Sequence, residues 1–179
     1  MMHRIFLAIN LSKEIKKELL RYQEKWPDIP AKWTKPENLH ITLVFLGNTS
    51  DKELLSVQKT TREVALHHKP FSLSFSQIAY EPIEPQAQMI WVKGKESKEL
   101  LSLKKDLAAA LGQKEEQPFS LHITLARLKE WEFRKIEPEE RPEINEEISL
   151  EVPVSSFSIM ESKLKQGGAE YIILESISL

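Results

Sequence analysis

The pentapeptide Leu-His-Ile-Thr-Leu occurs twice in this chain, at residues 39–43 and again at residues 121–125. An apolar stretch and a serine-capped helix precede each copy in the same order: 5–9 and Ser12 in the first case, 89–92 and Ser97 in the second. The two histidines are 82 residues apart and the two serines 85. Self-similarity at a nearly fixed offset is the signature of a duplicated unit. The sequence therefore predicts one domain over residues 1–179 with two internal pseudo-repeats.

Each pentapeptide predicts a strand with two chemically different faces. Residues i and i+2 of a strand point to the same side, so the His and Thr of each copy project together. His40 and Thr42 form the first pair, and His122 and Thr124 form the second. The leucines and isoleucine between them project to the opposite side, toward a core. A duplicated fold would bring the two polar pairs together across a cleft.

Two imidazoles and two hydroxyls that face one another suit chemistry on a phosphate. Opening a cyclic phosphodiester requires a base that activates water and an acid that protonates the leaving oxygen, and histidine can do both near neutral pH. Threonine hydroxyls can donate to the non-bridging oxygens. A single His-x-Thr strand is more often structural, with the imidazole bonded to a neighbour. The duplicated pair favours function, because core packing does not require His and Thr on the outer face.

The remaining residues do not suggest a metal site. His67 and His68 fall where the second predicted helix ends, His3 is near the terminus, and no third ligand or HExxH pattern accompanies the two motif histidines. The absence of cysteine excludes disulfides, thiolate zinc sites and thiol nucleophiles. We expect neither a metal nor another cofactor.

Composition limits the partners. The formal charge of −2 and the pI near 6.2 argue against a protein that wraps long nucleic acid, so any such partner is held at one or two phosphates. The 41% hydrophobic and 29% charged content is typical of soluble globular proteins, and the apolar run at 5–9 is too short for a signal peptide or a membrane span. We expect a cytoplasmic monomer with no membrane partner.

Local patterns predict three helices and seven strands. The helices begin at Ser12 (apolar positions Ile15, Leu19, Tyr22 and Trp26), at Ser50 with a capping box to Glu53, and at Ser97, with Gly112 as the stop. The strands are expected at roughly 4–9, 38–46, 71–79, 88–93, 120–128, 148–160 and 170–178. Segment 129–147 is rich in Glu and Pro and predicts an exposed, irregular connection, and residues 166–168 predict a hairpin turn.

The motifs resemble those of a known family. The segments that carry the resemblance are residues 4–9, the stretch from Trp33 through Gly47, residues 121–127, and a C-terminal Glu161-Ser162-x-Leu164 followed by Gly168 and Tyr171. Together they are similar to the RNA 2′,3′-cyclic phosphodiesterases, also called 2′-5′ RNA ligases, of the two-histidine (2H) phosphoesterase superfamily. The resemblance spans nearly the whole chain.

The resemblance implies an α+β, bilobal fold of two pseudo-symmetric lobes, each with an antiparallel-rich sheet and outer helices, and a cleft between them. It also implies hydrolysis of RNA 2′,3′-cyclic ends to 2′-phosphomonoesters without a metal. His40 would be the general acid that protonates the 3′ oxygen, and His122 the general base that activates water. Thr42 and Thr124 would hold phosphate oxygens.

Two further residues, Arg127 and Phe6, are predicted to contact the substrate. Arg127 matches the arginine that follows the family's second motif and would contact the phosphate or stack on the terminal base. Strict alternation of side chains places Arg127 on the face of the strand opposite to His122. Its role in the cleft therefore requires a β-bulge or the end of the strand. Phe6 is the aromatic residue predicted to contact substrate, whereas Phe45 is expected in the core and Trp33 is expected to pack its loop.

The sequence leaves other functions open. A related enzyme could act on a small cyclic nucleotide instead of RNA, because the motif chemistry is the same. A module that binds RNA ends without turnover is the alternative from another class. Ligation, in which a 5′-hydroxyl opens the cyclic phosphate, is the microscopic reverse of cleavage of a 2′-5′ linkage.

Overall fold

The computed structural model describes residues 1–82, 86–114, 118–166 and 168–179. Nine strands and four α-helices are described in these ranges: β1 Met2–Asn10, α1 Lys13–Gln23, β2 Ala31–Trp33, β3 His40–Ser50, α2 Asp51–Ala65, β4 Phe71–Glu81, β5 Met89–Gly94, α3 Lys98–Ala110, β6 His122–Leu128, α4 Glu130–Arg134, β7 Asn145–Val154, β8 Ser156–Lys165 and β9 Gly168–Ser178. Short 3-10 turns lie at Pro36–Asn38 and Pro138–Glu140.

The strands form two antiparallel sheets. Sheet A has the order β3-β1-β8-β9 and sheet B the order β2-β6-β5-β4-β7. In each sheet, the strand with the His-x-Thr pair lies beside the strand that opens its repeat: β3 pairs with β1, and β6 pairs with β5. The fold is therefore the predicted α+β arrangement of two pseudo-symmetric lobes. The matching pairings support our proposal that residues 1–179 form one bilobal domain containing two internal pseudo-repeats.

The three predicted helices are present and begin where their caps were predicted. The Ser12 and Ser97 side chains accept hydrogen bonds from the backbone N–H groups of Ile15 and Leu100, and Ser50 forms a reciprocal capping box with Glu53. The first helix ends at Gln23, so Trp26 packs against the core from the loop that follows it. Gly112, at φ +66°, follows the end of α3 as expected.

One apolar core connects both lobes. It takes in Leu19 of α1, Leu103 of α3 and the inward-facing residues of both motif strands. Leu39, Ile41, Leu43, Leu121, Ile123 and Leu125 are all at most 5% exposed. This confirms the predicted division of each pentapeptide into a core face and a polar face.

The single strand predicted at 148–160 is wrong. The chain instead changes sheets at Ser155: β7 lies at the edge of sheet B, and β8 lies inside sheet A. The pattern of buried residues records the change, because Val152 and Val154 alternate with exposed neighbours whereas Phe157 begins a run of five buried residues. The alternation in β7 marks a strand with one buried face, and the continuous run in β8 marks a strand that is covered on both faces.

The irregular connection predicted at 129–147 is also partly wrong. It contains α4, and the side chain of Phe133 on that helix is 1% exposed and contacts Tyr80. The Tyr80 hydroxyl donates to the Pro142 carbonyl, which holds the rest of the segment against sheet B. A single buried aromatic residue therefore anchors a segment whose composition otherwise indicates a surface loop.

Two smaller differences concern β2 and the last turn. The three-residue β2 was not predicted, and it adds an edge to sheet B. Trp33, which was expected to pack its loop, lies on this strand and packs against the core. In the hairpin predicted at 166–168, Lys165 pairs with Gly168, whose φ is +116°, while Gly167 lies outside the described residues. No helix in the described ranges combines the length and apolarity needed to cross a membrane.

Candidate active site

The motif strands of the two sheets face each other. Cα atoms of β3 and β6 approach within 8 Å, and a charge on His122 is near enough to lower the pKa of His40. The side chains of the two His-x-Thr pairs are half-buried, in contrast to the fully buried apolar residues between them. The structure therefore brings all four predicted residues to one cleft.

Each motif strand carries a β-bulge at its second leucine. In sheet A, Ala8 pairs with Thr42 and Leu7 with Val44, so Leu43 is the extra residue. In sheet B, Trp91 pairs with Thr124 and Ile90 with Ala126, so Leu125 is the extra residue. A bulge shifts the alternation of side chains by one position. As a result, the third residue after each threonine returns to the cleft face.

The bulge in sheet B is the β-bulge that a cleft role of Arg127 requires. Arg127 pairs with Met89, on the same face as Thr124 and Trp91, and its side chain is exposed. Its Nη1 atom lies 3.6 Å from the Met89 sulfur. Arg127 is therefore on the side of the strand that a cleft residue requires.

The bulge in sheet A reverses the expectations for two phenylalanines. Phe45 occupies the position equivalent to Arg127 and is 67% exposed, so its predicted place in the core is wrong. Phe6 is 3% exposed and lies beneath His40, Tyr171 and Phe45, with ring centroids 5.0–5.9 Å apart. So little exposed surface contradicts the prediction that Phe6 offers its face to a base.

Both histidines are held in the same tautomer by the backbone of their own strand. The Nδ1 atom of His40 lies 2.7 Å from the Asn38 carbonyl, and that of His122 lies 2.8 Å from the Ser120 carbonyl. A carbonyl only accepts, so Nδ1 carries the proton in each ring and Nε2 is the atom left for proton transfer. His40 Nε2 is 3.0 Å from the Thr42 hydroxyl, which donates to it when the ring is neutral.

The surroundings of the two rings differ. The ring of Tyr171 meets His40 edge-on at 5.2 Å and 86°, and Phe6 contacts it at a tilt of 45°. In the other lobe, the Trp91 ring is stacked on His122, with centroids 3.6 Å apart and planes inclined by 10°. Trp91 was not singled out from the sequence, because its contact with His122 depends on the pairing of β5 with β6.

Electrostatics lower the pKa of both histidines. Burial is the main cause in each case, because it disfavours the charged ring. The pKa of His40 is lowered further by positive charge on His122 and Lys16, whereas the Glu81 carboxylate raises that of His122. The carbonyl hydrogen bonds oppose the effect of burial in both rings without cancelling it. Both imidazoles therefore favour the neutral form more than a histidine in water does.

Side chains from outside the motif hold the bulge of sheet B. The Thr34 hydroxyl donates to the Thr124 carbonyl at 2.8 Å, and the Thr34 N–H donates to the Leu125 carbonyl at 2.8 Å. The Gln23 amide donates to the Thr34 carbonyl at 2.9 Å and approaches the Leu125 carbonyl at 3.4 Å. A bulge leaves backbone groups without ladder partners, and Thr34 and Gln23 satisfy them.

Two of the three histidines outside the motifs are engaged elsewhere. His68 lies 3.0 Å from an Asp106 oxygen, and His3 bridges Glu161 and Asp51 at 2.7 and 2.9 Å. Those two carboxylates raise the pKa of His3. In the part of the chain that the structure describes, no three His, Cys, Asp or Glu side chains are grouped as a metal site would need.

Comparison with known proteins gives the family. The model of the 2′-5′ RNA ligase superfamily matches residues 12–166, and the chain belongs to this family. An RNA 2′,3′-cyclic phosphodiesterase of Thermus thermophilus is 31% identical over 98% of this chain and 90% of its own length, and one from Methanothermobacter thermautotrophicus is 28% identical over 98% of each chain.

Solved structures show the same fold. The crystal structure of TT0787 of Thermus thermophilus matches with a TM-score of 0.83 and 31% identity, covering 98% of this chain and 97% of that one. Escherichia coli LigT complexed with NADP+ matches with a TM-score of 0.81 over 100% of this chain and 99% of that one. Its sequence identity is 22%, so this second likeness concerns the fold alone.

Proposed function

We propose that this protein hydrolyses the 2′,3′-cyclic phosphodiester at the end of RNA to a 2′-phosphomonoester. One observation carries the proposal: two histidines with Nδ1 bonded to the backbone and Nε2 left for proton transfer lie in one cleft, each two residues from a threonine. The relatives named RNA 2′,3′-cyclic phosphodiesterase support the choice of substrate.

Each histidine has one role in the proposed reaction. His122 Nε2 takes a proton from water as the water oxygen bonds to phosphorus. The bond from phosphorus to the 3′ oxygen breaks, and His40 Nε2 gives its proton to that oxygen. Atoms and charge balance without a further reactant, because the proton lost by one ring is matched by the proton gained by the other.

The remaining cleft residues stabilise charge and hold the substrate. Thr42 and Thr124 donate to the non-bridging oxygens, where charge increases in the transition state. Arg127 contacts the phosphate or stacks on the terminal base. Phe45, rather than the buried Phe6, supplies an exposed aromatic face for a base, since it projects from the equivalent position of the other lobe.

Positive charge near Arg127 favours an RNA end over a small cyclic nucleotide. Lys32 on β2 pairs with Arg127, so both side chains leave the sheet on the same face. Lys32 also crosses to the other sheet, because a Cβ built on Gly168 would lie 2.4 Å from its Nζ atom. Two cations at one end of the cleft can bind a phosphate upstream of the cyclic one, which a mononucleotide lacks.

The test is product analysis in excess chelator. The substrates are nucleoside 2′,3′-cyclic phosphates and an oligonucleotide that ends in one, and phosphorus NMR identifies the products. We expect 2′-phosphates, with a higher kcat/KM on the oligonucleotide. A 3′-phosphate product contradicts the assigned leaving group, a preference for mononucleotides contradicts the RNA end, and tight binding without turnover identifies a binding module.

A further inference from the structure

Trp91 has an unusual relation to His122. The two rings are parallel to within 10° and their centroids are 3.6 Å apart, whereas the rings in contact with His40 are tilted or edge-on. The register of β5 and β6 produces the stack, because Trp91 is the direct neighbour of Thr124 on the cleft face. The indole therefore covers one face of the ring that is proposed to accept the proton.

The fold alone does not account for a tryptophan at this position. The indole Nε1 is buried and has no hydrogen-bond partner among the residues that the structure describes, and an unpaired buried donor is less favourable than an all-carbon ring. Phenylalanine would fill much of the same space without an unpaired donor. What tryptophan adds is the most electron-rich face of any side chain, to which cations are attracted.

We propose that Trp91 is a positioning residue that fixes the plane of His122 and stabilises the imidazolium that forms when His122 takes a proton from water. The inference rests on the proposed function, because it assigns a use to the base of that reaction. Burial lowers the pKa of His122 and so favours the neutral form that can act as a base. The indole face acts in the opposite sense and only once charge develops, which is when the transition state needs it.

The charged groups around His122 do not make the proposed stabilisation of its imidazolium by the indole redundant. Glu81 raises the pKa of His122, but its carboxylate lies 2.6 Å from the Lys93 ammonium, the cross-strand neighbour of His122. The carboxylate is thus shared with a permanent cation. His40 is the other titratable group that faces the ring across the cleft, and it adds repulsion when charged. The indole is the attractive partner in direct contact with the ring.

Fluorinated tryptophan provides a test that leaves the shape of the side chain almost unchanged. Fluorine withdraws electron density from the ring face, so mono- and difluorotryptophan should lower the pKa of His122 in steps, by about 0.3 to 1 unit at full loss of the attraction. NMR titration of the imidazole Cε1–H reports each histidine separately. His40 is the comparison, because its ring neighbours are Phe6 and Tyr171 and because a less charged His122 can only raise its pKa.

Substitutions give the kinetic arm of the test. Trp91→Leu keeps an apolar cover but removes the ring face, so we expect kcat to fall roughly tenfold with little change in KM, and Trp91→Phe to fall between it and wild type. Trp131→Leu is the matched control, since Trp131 is 75% exposed on α4. If Trp91→Leu does not fold, Trp91→Phe and the fluorinated protein still decide the question.

The outcomes separate this inference from the proposed function. A His122 pKa that does not respond to fluorination, or that moves together with that of His40, overturns the role of Trp91 even in an active enzyme. An enzyme without activity on cyclic phosphates overturns the proposed function, while the titration still measures the stack. A loss of kcat in Trp91→Leu with an unchanged His122 pKa shows a purely structural side chain and also overturns the inference.

Discussion

The two halves of the cleft share a backbone and differ in what surrounds it. Both have a histidine bonded through Nδ1 to a carbonyl two residues upstream, a threonine two residues later and a bulge at the following residue. Around His40 lie the edge of one aromatic ring and the tilted face of another, whereas His122 lies flat against an indole. The predicted duplication would account for the shared orientation of both imidazoles, and the difference between their neighbours would let them serve opposite steps.

The largest effect should come from removing either imidazole. We expect His40→Ala and His122→Ala each to lower kcat/KM by roughly 10²–10⁴-fold, the usual contribution of a general acid or base, with little change in melting temperature. His68→Ala, three residues past the end of α2, is the matched control and should keep full activity. A motif variant that unfolds yet keeps its specific activity when folded would assign these histidines to stability.

A change of leaving group should break the symmetry between the two variants. On a substrate with a nitrophenolate in the position that His40 serves, the departing oxygen needs no proton. His40→Ala should then lose much less activity than His122→Ala, by roughly 10²-fold or more. The measurement is kcat/KM for both variants on both substrates. Equal losses on the nitrophenyl substrate would refute the division into acid and base.

Substitutions at the two equivalent positions that follow the bulges, Arg127 and Phe45, should affect substrate binding in different ways. Arg127→Ala should raise KM for an oligonucleotide and reduce the salt dependence of log kcat/KM by about one unit of slope, because a phosphate contact is lost. Phe45→Ala should raise KM by roughly 5- to 150-fold with no change in slope, the value of one stacked base. The comparison requires a salt titration of both variants. Identical salt slopes would mean that Arg127 stacks instead of pairing with phosphate.

The hydrogen bond that supports only one of the bulges should have a smaller effect. Thr34→Val removes the hydroxyl that donates to the half-buried Thr124 carbonyl, at a cost of about 1 kcal/mol. We expect a few-fold loss of kcat and a lower melting temperature, with the His122 half of the site affected before the His40 half. Proton exchange of the two imidazoles by NMR would show which half has moved. Thr49→Val, on β3 in the other sheet, is the comparison.

The smallest effect concerns pH. Both pKa values lie below the ordinary 6.5 in the free protein, so the bell-shaped profile of kcat/KM should have its maximum below pH 6.5. Activity falls on the acid side because the base becomes protonated, and on the alkaline side because the acid loses its proton. The anionic substrate favours imidazolium, so the maximum of kcat should lie at higher pH. The pKa values that the two limbs of this profile report belong to the coupled pair of histidines and not to either ring alone. A kcat/KM maximum well above 6.5 would contradict the burial of these rings.

The sequence alone predicted the parts of the site that depend on a single strand. Alternation placed His40 with Thr42 and His122 with Thr124, and the repeat placed both pairs in one cleft. The bulges were not predictable, because they depend on the register between two strands and not on the composition of either. Phe6 and Phe45 were therefore assigned to the wrong environments, while the condition stated for Arg127 was met.

Elements far from the repeat were harder to predict. Around Ser155, two strands of different sheets follow each other with one residue between them. Local propensity therefore predicts one continuous strand. Helix α4 is five residues long and is held by one buried phenylalanine. A helix this short shows no periodic pattern of apolar residues by which it could be recognised from the sequence. Trp91, Thr34 and Gln23 act through pairings that only the folded chain creates.

The carbonyl bonds of His40 and His122 have an evolutionary consequence. Many enzymes fix a catalytic histidine with a carboxylate from elsewhere in the fold, which a single mutation can remove. Here the acceptors are the backbone oxygens of residues 38 and 120, so substitution of the Asn38 or Ser120 side chain leaves them in place. Each half of the site is therefore robust to drift in its neighbours. Such a unit could be copied intact and then surrounded differently, as the two lobes of this molecule are.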